Sequence, residues 1–239
     1  MIPSQLSITP ELSASVAAKT ARAAALLADI AGNCSPAAFA NSLGAEDMAL
    51  TDLIVKNALP IEIFSLDTGR LPPETYTLMA EVQKHYGLKL TLYFPQAGAV
   101  EYYTRQHGIN AFYESVTLRK ACCHVRKVEP LRRALAGKRA WITGMRAEQA
   151  ATRGQLALRE YDESNGLEKF NPLADWTEKE IWTYLKQNGV PCNALHDKFY
   201  PSIGCAPCTR PITPGEDIRS GRWWWEAPES RECGLHVKG

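Results

Sequence analysis

The sequence predicts an α/β fold with a mostly parallel sheet between layers of helix, and three observations predict it. Short apolar runs alternate with longer stretches of helical periodicity, the pattern that βα units produce. The run Ala37 to Ala40 is continuously apolar, as a strand buried on both faces must be. Three of the runs end at polar turns, NSLGAED, SLDTGR and TGMR. Open α/β sheets take their ligands beyond the carboxyl ends of the strands, so these turns belong on one functional rim.

The elements follow in order. Residues 13–31 are rich in alanine and set Val16, Ala23, Leu27 and Ile30 on one helical face. Ala37 to Ala40 read as a short buried strand, 41–45 as a turn of small residues and 46–57 as helix. PIEIFSLDTGR gives a strand ending at Leu66, with the turn Asp67 to Arg70 beyond it. PPETYTLMAEVQKHYG is a helix opened by prolines. LKLTLYFP is a third strand, and RAWITGMR a fourth that ends at Thr143 and Gly144. Past Arg146 the pattern loosens, and AEQAATRGQ reads as a loop. DWTEKEIWTYLKQNG is a helix with a capping box of Thr177 and Glu180 and a staple from Trp176 to Ile181. From Pro191 onward the periodicity fades into an irregular segment that holds Cys205, Cys208 and Trp223 to Trp225. The expected organisation is one α/β domain over 1–226 and a flexible tail over 227–239.

Bulk properties exclude several classes. With 239 residues, 45% of them hydrophobic, the chain builds its own core without covalent staples. A net charge of +1 gives no global field for nucleic acid or an acidic membrane. No run of about 20 apolar residues exists, and the first 30 residues lack the basic-then-apolar pattern of a secretion signal. The expectation is a cytoplasmic protein with neither a nucleic-acid nor a membrane partner. Seven cysteines, an odd number, argue against a disulfide framework in such a compartment. Nothing in the sequence fixes an oligomeric state, and a symmetric homo-oligomer is compatible with it.

Two features carry chemistry. NSLGAED follows a strand and opens a helix, so small residues let backbone N–H groups approach an anion. Neither GxxxxGK nor GxGxxG occurs, and an ordinary βα turn is the alternative. The second feature is the pairing of cysteines, Cys122 with Cys123 and Cys205 with Cys208. Four thiolates suit a [4Fe–4S] cluster or a structural zinc, and adjacent cysteines count against zinc's wider spacing. Four unrelated buried thiols are the bland alternative. Arg126 and Lys127 either offset a cluster's charge or are solvated helix residues. Cys34 and Cys192 read as structural, and Trp223 to Trp225 as packing rather than as a stacking platform for a base.

The turn NSLGAED resembles a degenerate SGGxDS loop of the ATP pyrophosphatases; Ser42 and Gly44 are kept, while Leu43, Glu46 and Asp47 depart. LGAED (43–47), SLDTGR (65–70), CCHVRKVEPL (122–131), TGMR (143–146), IGCAPCTRP (203–211), GRWWWE (221–226) and ECGLH (232–236) together resemble the adenylylsulfate reductases of sulfate assimilation. These are the iron–sulfur-bearing branch of the phosphoadenylylsulfate reductase family. The resemblance runs from about residue 36 to 236.

The resemblance implies a three-layer sandwich of the adenine nucleotide alpha hydrolase (PP-loop) type. It implies reduction of adenosine 5′-phosphosulfate to sulfite and AMP by thioredoxin or a glutaredoxin-like dithiol protein. One [4Fe–4S] cluster would sit on Cys122, Cys123, Cys205 and Cys208, and Cys233 would be the nucleophile. Substrate binding would fall to Ser42, Gly44, Asp47, Leu66, Lys127, Gly144, Arg153, Arg219 and Arg222. Arg146 is a further cationic candidate, and Arg70 reads as structural. His236 either assists the Cys233 thiolate or is an exposed tail residue. Leu43 stands where the family often has serine, so the anion site rests on the Gly44 backbone and its neighbours. The 3′-phosphorylated substrate is the rival within the reaction class. A tRNA sulfurtransferase and a zinc-organised thioredoxin-binding module are the rivals outside it.

Overall fold

The structure, a computed structural model, describes residues 6–149 and 156–231. Seven α-helices and six strands are present among them: α1 Pro10–Asn33, β1 Ala37–Ala40, α2 Ala45–Lys56, β2 Glu62–Leu66, α3 Pro73–Tyr86, β3 Thr91–Tyr93, α4 Ala97–His107, α5 Val116–Cys123, α6 Glu129–Leu135, β4 Ala140–Ile142, β5 Arg159–Asp162, β6 Leu167–Phe170 and α7 Glu178–Asn188.

The strands form one sheet in the order β3-β2-β1-β4-β6-β5. All neighbours are parallel except β5 and β6. The chain runs outward from β1 through β2 to β3, then returns to lay β4 on the other side of β1. That reversal leaves a crevice beyond the carboxyl ends of β1 and β4, the place where such sheets bind ligands.

Alternation along the central strands builds a core on each face. Ala37, Phe39, Ala140 and Ile142 face the larger core, with residues of α1, α2, α3 and α7. Ala38, Phe64 and Trp141 face the other way, against Leu131, Ala134 and Leu135 of α6. Helix, sheet and helix are the three layers expected. The α7 capping box forms as the sequence indicated: Thr177 Oγ1 accepts from the Glu180 backbone N–H, and the Glu180 carboxylate accepts from the Thr177 N–H. Trp176 and Ile181 share the core that they were expected to staple.

Two departures matter. Of the loop expected over 147–155, residues 150–155 lie outside the described ones; beyond it REYD and LEKF form an antiparallel hairpin, not expected from the sequence, that closes one sheet edge. The helical stretch that holds Arg126 and Lys127 is not uniform, because His124–Val128 widens into a π turn between α5 and α6. Pro130, in the first turn of α6, has no N–H to give to a carbonyl one turn back. Such widened turns concentrate at functional sites. No described helix is long and apolar enough to cross a membrane.

Candidate functional site

The crevice between β1 and β4 opens into a pocket of ≈ 270 Å³. Its floor is the turn after β1. Asn41 fixes that turn: its N–H donates to Phe64 O at 2.8 Å and its side-chain oxygen accepts from Leu43 N at 2.7 Å. Leu43 takes a left-handed φ of 64°, which sends its side chain into the core at 1% exposure. Side chain 43 is therefore hydrophobic ballast, and the turn offers backbone and Ser42, as the sequence indicated. Gly44 caps α2, so unpaired N–H groups of the helix start open at the floor.

Asp47 holds this turn closed. Its Oδ2 accepts from Ser42 N at 2.7 Å and from Ser42 Oγ at 2.5 Å. Burial pushes its carboxyl up to about 7, against these bonds and a further one from the Gly144 N–H. Gly144, at the end of β4, has no space for a side chain, since a Cβ would collide with the Asp47 carboxylate. Ser42, Gly44, Asp47, Leu66 and Gly144 all line the pocket. Arg146 lines it too, but it is engaged: Nε donates to Glu46 at 2.8 Å and Nη1 to Glu148 at 2.7 Å.

Beyond the floor the pocket has a cationic end of Lys127, Arg219 and Arg222. Arg219 and Arg222 both flank the buried Trp223 ring, with the Arg222 guanidinium 4.6 Å from its centroid. Gly204 makes room for Arg222, because a Cβ there would strike its guanidinium. Planar guanidinium groups match tetrahedral oxyanions in fork geometry. The pocket wall also includes His196, a residue that the sequence did not single out. Its turn, Ala194–Lys198, lies in the aperiodic stretch where no pattern marks an inward-facing side chain.

The four paired cysteines meet behind that cationic end. Cys122, Cys123, Cys205 and Cys208 line one small cavity with Arg70, Arg119, Arg126 and Lys127. Several backbone links assemble it. Ala206 N donates to Arg70 O, Trp223 N to Cys208 O, and Thr209 bridges Arg222. Arg126 is no solvated helix residue: the π turn directs it inward, where Nη1 donates to Thr68 O at 2.7 Å. Burial raises the Cys122 thiol, with the Arg126 charge opposing, and pushes the Cys208 thiol up to about 12. Four thiols lining one small cavity with four cationic side chains are a donor set for anionic metal–sulfur chemistry.

Among the described residues no group of three or more His, Cys, Asp or Glu is arranged to hold a metal ion, although the four cysteines line one small cavity. The indole N–H groups of Trp223 and Trp225 are buried without a described partner in the same packed group as these cysteines. Cluster sulfur would accept such donors. Lys127 lines both the cavity and the larger pocket, and so joins the two sites.

The remaining candidates divide clearly. Arg70 is structural as read: Nη2 donates to Ile109 O at 2.7 Å and the guanidinium lies over Phe112. Cys34 and Cys192 pack against the larger core. Trp223 is buried and Trp225 half-buried in packing, with Trp225 edge-on to Tyr113 at 4.4 Å, whereas Trp224 is exposed. Arg153, Cys233 and His236 lie outside the described residues.

Comparison with known proteins adds an independent line. The model of the phosphoadenosine phosphosulfate reductase domain matches residues 36–211. An adenosine 5′-phosphosulfate reductase of Allochromatium vinosum is 56% identical over 218 residues, 91% of this chain and 85% of that protein. One from Burkholderia cepacia is 56% identical over 230 residues, 96% of this chain and 90% of that protein. Among solved structures, phosphoadenylyl-sulfate reductase of Candida auris superposes with a TM-score of 0.68 at 27% identity, over 84% of this chain and 98% of that one. Yeast FAD synthetase, 17% identical over 87% of this chain and 70% of its own, shares the fold alone, at a TM-score of 0.60.

Proposed function

We propose, from the premise that this chain belongs to the phosphoadenosine phosphosulfate reductase domain family, that it reduces adenosine 5′-phosphosulfate to sulfite and AMP in sulfate assimilation, with a thioredoxin-type dithiol protein as reductant. The observation that carries this reading is the junction of two sites. A nucleotide-sized pocket at the β1–β4 crevice shares Lys127 with a cavity of four cysteines. The names of the relatives agree with it.

In this reading the adenine lies in the apolar part of the pocket, against the strand-end backbone of Leu66 and Gly144. The floor of Ser42 and Gly44, tied by Asp47, supports the sugar–phosphate side. Lys127, Arg219 and Arg222 take the phosphosulfate, and Arg153 is a further cation for it. These charges stabilise the anion that accumulates on AMP as it leaves.

Chemistry starts at Cys233. Its thiolate attacks the sulfur of the substrate, the S–O bond of the anhydride breaks, and AMP departs with the electron pair. The product is a Cys233 S-sulfonate. A thiolate of the dithiol protein then attacks Cys233 Sγ, forming an S–S bond as sulfite leaves with the pair from the broken S–S bond. The second thiol of the partner resolves the mixed disulfide and regenerates Cys233. Two electrons from the dithiol therefore account for the reduction. Cys233 must serve two partners in turn, the nucleotide and then the dithiol protein.

Cys122, Cys123, Cys205 and Cys208 would hold a [4Fe–4S] cluster, which supplies fixed electrostatics and a brace between the 122–128 and 205–208 segments. Its thiolate ligation favours a reducing, cytoplasmic setting. The test is sulfite release from adenosine phosphosulfate and from its 3′-phosphorylated analogue, with thioredoxin. Turnover of the former, lost in Cys233→Ser, is the expected result. A preference for the 3′-phosphorylated substrate overturns the assignment.

A further inference from the structure

We infer that His196 is a nucleotide-reading residue, whose Nε2 accepts a hydrogen bond from a ribose hydroxyl of the nucleotide in the pocket. The inference rests on the nucleotide reading above and goes beyond it.

The placement of the ring is over-determined. Asn193 starts its turn: the side-chain oxygen accepts from Leu195 N at 3.0 Å, and Nδ2 donates to the buried Thr75 Oγ1 at 3.0 Å. The His196 ring stands edge-on to Trp182 at 5.0 Å and is 5% exposed. Nδ1 lies 2.9 Å from the Tyr200 carbonyl oxygen. That oxygen only accepts, so Nδ1 carries the hydrogen. In a neutral ring the other nitrogen is then a lone pair. Burial holds the imidazole below its ordinary value, against the Glu46 carboxylate, so the neutral ring is the form at pH about 7.

Nε2 is buried and has no hydrogen-bond partner among the described residues, yet His196 lines the pocket. A buried acceptor left unpaired is costly, so a donor is the ligand that fits it. Phosphate and sulfate oxygens at neutral pH have no proton to give. The nucleotide's donors are the adenine amine and the ribose hydroxyls. Adenine suits the apolar lobe of Phe64, Leu66, Leu131 and Trp141, and the anion suits Lys127, Arg219 and Arg222. His196 belongs to neither group. It borders Trp182 and feels the charge of Glu46. The sugar occupies the span between the two ends, and its hydroxyls are the donors in that span.

Calorimetric titration of the purified protein with AMP, 2′-deoxy-AMP, 3′-deoxy-AMP and purine riboside 5′-monophosphate tests this. In wild type, one of the two deoxy nucleotides should bind about tenfold more weakly than AMP. His196→Phe keeps a ring against Trp182 but removes the lone pair, and should bring AMP and that deoxy nucleotide to within about twofold of each other. His196→Gln, whose amide oxygen accepts, should restore part of the gap. Three results overturn the inference: a gap that persists in His196→Phe, equal affinity of wild type for all three sugars, or a gap abolished by His196→Phe only for the nucleotide that lacks the amine. The wild-type arm decides even where a variant misfolds. Wild type that binds no nucleotide overturns the underlying reading, whereas wild type that binds AMP regardless of its hydroxyls overturns this inference alone.

Discussion

Asp47 ties the pocket floor through two bonds from Ser42, and it does so while buried. Its carboxyl is raised to about 7 from an unfolded value near 4, so the folded state binds the extra proton. Its stabilising contribution is full below about pH 4 and is lost as pH rises through about 7. Urea unfolding of ligand-free protein should show wild type losing stability relative to Asp47→Asn between about pH 5 and about pH 8. A flat difference would mean that the carboxylate is solvated. Glycines set a second test. Gly204→Ala drives a Cβ into the Arg222 guanidinium. It should weaken binding of adenosine phosphosulfate about tenfold or more, with a smaller effect on adenosine, which carries no anion. At this scale the sequence showed the cysteines and arginines, because chemistry is written in residue type. It did not show His196, whose significance is a lone pair aimed by a turn with no periodicity.

The elements were legible where period and caps agree. The boundaries of β1 and β2 and the cap of α7 follow from apolar runs and from Thr177 with Glu180. Glu180 also clamps α7 to α1, since Ser15 Oγ donates to it at 2.6 Å and Lys19 Nζ at 2.7 Å. Burial opposes its charge, but these donors and Thr177 hold its carboxyl down at about 2. Glu180→Ala should cost about 2 kcal/mol or more in urea unfolding at neutral pH. The β5–β6 hairpin escaped notice for a physical reason. REYD has no buried residue, LEKF sets two charged residues between the buried Leu167 and Phe170, and the pairs Arg159–Glu168 and Lys169–Glu160 hold them together across the strands. Such a polar edge leaves a weak apolar signal, although the Asn165-Gly166 step is a turn mark. The π turn was equally silent, because widening a helix by one residue per turn changes contacts without changing composition.

Across the whole molecule, segments far apart in sequence converge on one cavity, and its ring of cations and thiols brings 67–70, 122–128, 205–209 and 221–226 together. Arg119 locks the last of these: it donates to Glu226 at 2.9 and 2.7 Å and to Ser230 O at 2.6 Å, fully buried. Glu226→Ala strands that charge and should cost about 3–5 kcal/mol. Thermal unfolding of wild type and variant side by side is the check. Cys205→Ser should lower iron content per chain and loosen the 201–210 segment in hydrogen exchange, leaving the α1–α7 side of the sheet unchanged. The central claim is that Cys233 carries the sulfonate while the described pocket holds the nucleotide. Anaerobic mass spectrometry after a single turnover with adenosine phosphosulfate, without thioredoxin, addresses it most directly. The expected result is a gain of about 80 Da on the peptide containing Cys233, with one AMP released and sulfite freed only when thioredoxin is added. Sulfite appearing from iron-loaded protein with no adduct on Cys233 would contradict it.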